Sequence, residues 1–172
     1  AGADDNAVPM FSKPGLVEVL MRAADKGETS EIKSLGLRAL ANLTAAYDNK
    51  VPMFSKPGLV ETLMRAADKE ETSEVKRWGL RALANLAVAD DNAVPMFSKP
   101  RLVEMLMRAA DNGETSEVKS LGLRALGSVA VAEDNAVPMF LKPGLVEALM
   151  RAGDEGETSE VKSLGLRALA NL

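Results

Sequence analysis

The side chains best suited to holding a ligand recur in this chain at a fixed interval of 43 residues. Arginines stand at Arg38, Arg81, Arg124 and Arg167, and four positions after them come Asn42, Asn85, Ser128 and Asn171. A guanidinium presents a planar fork of N–H donors that suits carboxylate or phosphate. A carboxamide carries an acceptor oxygen and an NH2 donor on one short stem. Ser34, Arg38 and Asn42 step by four, so on a helix they share one face. Arg77 strengthens the basic stripe in the second copy. Reactive chemistry has little support. The chain has no His and no Cys, which removes the commonest general base, the commonest metal ligand and any thiolate. We therefore expect a non-catalytic chain with no metal and no cofactor.

The same interval governs everything else. The run DNAVPMFSKP at Asp5 returns as DNKVPMFSKP at Asp48, DNAVPMFSKP at Asp91 and DNAVPMFLKP at Asp134. Four units, 1–43, 44–86, 87–129 and 130–172, tile the 172 residues. Of the 43 columns, 27 hold one residue in all four copies, and no copy carries an insertion, as a rigid stack of units requires. Such a period signals a repeat architecture with an extended surface instead of one pocket. One domain over 1–172 is expected. Both ends fall on the same repeat boundary, which points to an array engineered or excised in whole repeats.

Composition narrows the fold class to all-α. The chain is 47% hydrophobic but only 3% aromatic, and a core of Leu, Ala, Val and Met suits closely packed helices. A net charge of −4 lacks the basic footprint of a nucleic-acid binder. No apolar run is long enough for a membrane span, and no charged-then-apolar signal segment opens the chain. A soluble protein is expected, and nothing in the residues assigns its compartment.

Each copy reads as three helices. The first runs from about Asn6 to Ser12, with Asp5 or Asn6 as its cap and Pro9 in its first turn. Pro14-Gly15 turns the chain into a second helix to about Ala24, with the apolar set Leu16, Val17, Leu20, Met21 and Ala24. Thr29 or Ser30 caps a third helix reaching Leu43, whose expected buried face is Ile32, Leu35, Gly36, Ala39, Leu40 and Leu43. Gly36 recurs at Gly79, Gly122 and Gly165. A glycine inside a helix costs about 1 kcal/mol against Ala, so four copies imply a close helix crossing.

This order, closing on Leu37-Arg38-Ala39-Leu40-Ala41-Asn42-Leu43, resembles an armadillo repeat of the importin-α and β-catenin kind across the full chain. A two-helix HEAT unit shares the period but needs the first helix to merge with the second. The resemblance implies a right-handed α-solenoid whose third helices line a concave groove for an extended peptide. It also implies that an Asn near the end of each third helix grips the peptide backbone, here Asn42, Asn85 and Asn171. Nuclear-import members carry Trp one turn earlier, where this chain has Arg38, Arg81, Arg124 and Arg167, so a basic peptide is not expected. A carboxamide matches the C=O and N–H of one extended residue. Two extended residues span about 6.6–6.8 Å and helices pack about 8–10 Å apart, so one Asn per repeat can follow every second residue. The expected partner is thus an extended and partly acidic peptide, met by Arg38, Arg77, Arg81, Arg124 and Arg167.

The competing reading is a self-associating structural module. Solenoid ends normally carry polar faces, yet the first copy keeps Val8, Phe11, Leu16 and Leu20, and the last keeps Val161, Leu164, Leu169 and Leu172. A homo-oligomer through these residues is expected, as a ring or a filament. Other features are weaker. Asp4-Asp5 and Asp90-Asp91 read as caps and turns, because no downstream Gly and Glu complete a calcium loop. Trp78 and the Met-Phe pairs read as packing. Glu18 and Arg22 read as an intrahelical surface pair.

Overall fold

A threonine opens every third helix. Thr29, Thr72, Thr115 and Thr158 accept a hydrogen bond from the backbone N–H three residues on, at 3.2, 3.4, 3.2 and 3.2 Å. Such caps satisfy one of the donors that a helix start leaves unpaired. In a computed structural model, the structure describes residues 3–68 and 72–172, with the side chains of 3–5 and 68 outside the description.

All regular structure among those residues is helical. The first two repeats contain α1 (Ala3–Phe11), α2 (Leu16–Lys26), α3 (Ser30–Ala45), α4 (Tyr47–Phe54), α5 (Leu59–Asp68) and α6 (Ser73–Ala87). The last two contain α7 (Asp90–Phe97), α8 (Leu102–Asn112), α9 (Ser116–Ala130), α10 (Glu133–Phe140), α11 (Leu145–Glu155) and α12 (Ser159–Ala170). The turn at Pro14-Gly15 separates α1 from α2, so the unit has three helices, and the two-helix alternative fails. The chain forms two compact units, Ala1–Ala89 and Asp90–Leu172, each built of two repeats. No helix among the described residues is long and apolar enough to cross a membrane.

The recurrent glycine does mark a close crossing. A Cβ built on Gly36 would lie 2.9 Å from the backbone nitrogen of Ala24, and one on Gly122 would lie 2.8 Å from that of Ala110. On Gly165 it would come 2.7 Å from the nitrogen of Gly153. Backbone cannot yield as a side-chain tip can, so the second and third helices of a repeat touch where only hydrogen fits. Leu37, Leu40, Leu63 and Leu83 fill the core of the first unit, and Leu106, Leu123, Leu126 and Leu145 that of the second, all fully buried.

The third helix of the first repeat ends at Ala45, close to the expected Leu43. Three expectations need correction. Pro52 is the sixth residue of α4 and not in its first turn, and the helix ends two residues later. The Asn beside it does not cap: Ala46 holds that position without a side-chain bond, and Asn49 is buried inside the helix. Finally, Ile32 and Leu35 are 42% and 46% exposed, whereas Leu37 and Ala41 are buried. The Ile32 column faces the preceding repeat. In the second repeat the equivalent Val75 is 1% exposed, while no repeat of its own unit packs on that side of the first.

Candidate functional site

The joint between repeats is where the polar side chains are placed most strictly. Asn49 donates through Nδ2 to the carbonyls of Ala7, at 3.0 Å, and Leu43, at 2.9 Å. Asn135 repeats the arrangement on Ala93, at 3.0 Å, and Val129, at 2.8 Å. Each ties a first helix to the first and third helices of the repeat before it. No sequence signal marked this role, because one acceptor lies 42 positions away and the other on the preceding third helix.

The expected ladder follows the third helices, with Asn42 and Asn85 in the first unit and Asn171, the residue just after α12, in the second. Asn85 donates to the carbonyl of Ala41 at 3.1 Å and to the Thr44 hydroxyl at 3.3 Å. Asn171 donates to the carbonyl of Gly127 at 3.0 Å. Their amide donors therefore brace the joint, while Asn42 in the first repeat is exposed. Arg38, Arg124 and Arg167 are exposed, and Arg77 and Arg81 half-exposed. Ser34 leaves this surface: it is buried and donates to the carbonyl of Glu31 at 3.0 Å. In the first unit the guanidinium carbons of Arg77 and Arg81 lie 4.6 and 5.3 Å from the centre of the Trp78 ring. The indole face holds both cations by its quadrupole. Arg77 also meets Glu74 at 3.6 Å.

Ion pairs run along the second helices, again between repeats. Glu18 pairs with Lys56 at 3.4 Å and not with Arg22 of its own helix. Asp25 accepts from Arg65 at 2.8 Å. Their counterparts are Glu104 with Lys142, and Asp111 with Arg151 at 2.9 Å. Lys119 adds a pair with Glu157 at 2.5 Å. The hydrogen bond from Lys142 holds the Glu104 carboxyl below its ordinary 4.5, and Lys119 does the same for Glu157. A cleft of about 140 Å³ in the second unit is lined by Asp111, Lys119, Arg151 and Glu157, among others, whose charges are thus already matched. Among the described residues no group of three or more acidic side chains could hold a metal ion.

The end residues named for self-association divide. Val8 is 38% exposed, as is the equivalent Val51, so it marks no end face. Phe11, Leu16 and Leu20 are half-buried, as are Leu164, Leu169 and Leu172. Val161 is 2% exposed because its column faces the preceding repeat, which corrects its assignment to the free end. Leu166, 57% exposed, takes that place.

Three-helix units stapled in this way define an armadillo-type helical repeat protein, and the chain belongs to that class. More particularly, it groups with engineered members. One engineered protein of known structure shares 29% identity and superposes with a TM-score of 0.86, over 99% of this chain and 40% of its own. A second engineered protein shares 31% identity at a TM-score of 0.81, over 98% of this chain and 70% of its own. A designed armadillo repeat protein in complex with the peptide (KR)4 has the same fold, at 18% identity and a TM-score of 0.85, over 99% of this chain and 69% of its own. This chain thus spans well under half of the first of these proteins. No protein-family model and no curated protein matches it.

Proposed function

We propose that the chain is a non-catalytic scaffold that binds an extended, partly acidic peptide along its third helices. The backbone of the peptide would be met by Asn42, Asn85 and Asn171, and its carboxylates by Arg38, Arg77, Arg81, Arg124 and Arg167. The observation that carries this reading is the pair of guanidiniums stacked on Trp78. An ordered fork loses less freedom on meeting a carboxylate than a mobile one. The designed relative bound to (KR)4 supports peptide binding on this fold, while the arginine column favours the opposite ligand charge. Because Asn85 and Asn171 already donate across the joint, their share of the work is to hold the register of the third helices.

Calorimetry with a peptide of alternating Glu and Ser tests this. Binding should weaken as salt rises, because exposed charges are screened. Arg167→Gln, at an exposed position, should weaken it without lowering the melting temperature, and Arg81→Gln should weaken it while also losing the contact with Trp78, worth about 0.5–1 kcal/mol. Binding of equal strength to an alternating Lys-Ser peptide, or no heat with either, would overturn the reading.

A further inference from the structure

The second repeat departs from the other three at two neighbouring columns of its third helix. Arg77 stands where the other copies have Ser34, Ser120 and Ser163, and Trp78 where they have Leu35, Leu121 and Leu164. Both changes fall one turn before Arg81, whose column is arginine in every copy. Together they turn a lone arginine position into a cluster inside the first unit.

The cluster suits more than one negative charge. The guanidinium carbons of Arg77 and Arg81 lie 4.6 and 5.3 Å from the centre of the Trp78 ring, so one indole gathers two cations. A guanidinium stacked on a ring uses its face there and keeps its in-plane N–H groups for hydrogen bonds. Both arginines are half-exposed, so a ligand can reach them. Glu74 comes only to 3.6 Å from Arg77, beyond hydrogen-bond range. The indole adds a further donor. Among the described residues, the Nε1–H of Trp78 is buried and meets no acceptor. That is a costly state for a polar group, and an oxygen seated at the ring edge would relieve it.

We propose that Arg77, Trp78 and Arg81 form a subsite for the phosphoryl group of a phosphoserine or phosphothreonine in the bound peptide. The proposal rests on the binding face argued above and names what one position of that face selects. A carboxylate brings one charge and two oxygens. A phosphoryl group brings about −1.5 to −2 at neutral pH and three acceptor oxygens, enough to engage both forks and the indole N–H. The other copies, with one arginine beside Ser and Leu, suit a carboxylate. Glu74 limits the site, because its carboxylate competes with the ligand for Arg77.

Calorimetry with two peptides decides it: the alternating Glu-Ser peptide, and the same peptide with phosphoserine in place of its central Glu. The phosphopeptide should bind about tenfold or more tightly, the yield of one added charge-assisted hydrogen bond. Arg77→Ser and Trp78→Leu install the residues of the other copies, so both are compatible with the fold, and each should cancel that preference. Arg167→Gln should weaken both peptides and leave their ratio unchanged, while Glu74→Gln should widen it. Equal affinities for the two peptides would overturn the subsite and leave the acidic-peptide reading standing, whereas failure of both to bind would end both. A preference that persists in Arg77→Ser and Trp78→Leu would also overturn it, by assigning the gain to overall charge. So would equally tight binding of a single-stranded oligonucleotide, which would make nucleic acid the occupant.

Discussion

The side-chain amide of Asn49 donates to the carbonyl of Ala7 at 3.0 Å, across 42 positions of sequence. With Leu43 as its second acceptor, this one side chain ties a short helix to two helices of the preceding repeat. Asn49→Ala would strip two buried carbonyls of their donor, at a cost of about 1–3 kcal/mol per unmet group. Asn135→Ala should behave alike in the second unit. Asn6→Ala, at an exposed position, should change stability by less than about 0.5 kcal/mol. Denaturant unfolding of the three variants, under conditions where the chain is monomeric, checks the ordering.

Two glycines of one helix should respond in opposite directions to the same change. Gly122→Ala gains about 1 kcal/mol of helix propensity but drives a methyl to 2.8 Å from the backbone of Ala110, so it should destabilise. At Gly127 the nearest atom to an added Cβ is Ala168 at 3.5 Å, an ordinary contact. Gly127→Ala should therefore stabilise by about 0.5–1 kcal/mol. Midpoints of thermal unfolding give both signs.

Arg101 stands in a glycine column and adopts φ 66°, a left-handed conformation that costs a residue with a Cβ about 1–2 kcal/mol. Gly15, Gly58 and Gly144 hold the other three copies at φ 77°, 79° and 79°. Arg101→Gly should raise stability by about 1 kcal/mol, measured by urea unfolding, less the modest loss of one cation near Glu104.

How far the residues alone reveal this molecule depends on where the partner of each side chain lies. Thr29 was legible as a cap because its acceptor role is met three residues on, and Gly36 was legible because a helix interior has no local use for glycine. Asn49 was not, since a local reading of Asp-Asn before Pro favours a cap and its true acceptors belong to another repeat. Helical periodicity likewise put Ile32 and Leu35 on the buried face and left Leu37 off it, because it does not tell which flank of the repeat a residue faces. That choice is tertiary, and it moved the free end from Val161 to Leu166. The arginine column was read by type alone, and the stacking of Arg77 and Arg81 on Trp78 needed the structure.

Acid should loosen the joint of the second unit. The bond from Lys142 lowers the Glu104 carboxyl below its ordinary 4.5. A carboxyl lowered in the folded state contributes stability that is full above its unfolded value and lost as pH falls through the folded one. Thermal midpoints should thus decline as pH drops below 4.5. Glu104→Gln should flatten part of that decline, and an unchanged profile would remove the pair from the account.

Trp78 is the single tryptophan of the chain, and it lies against the two guanidiniums assigned to the ligand. Its emission during titration with an alternating Glu-Ser peptide is therefore the most direct measurement of the proposed binding face. A saturable change is predicted, lost in Arg81→Gln, weakened by salt and absent with the Lys-Ser peptide. A flat titration, or equal responses to peptides of either charge, would contradict it.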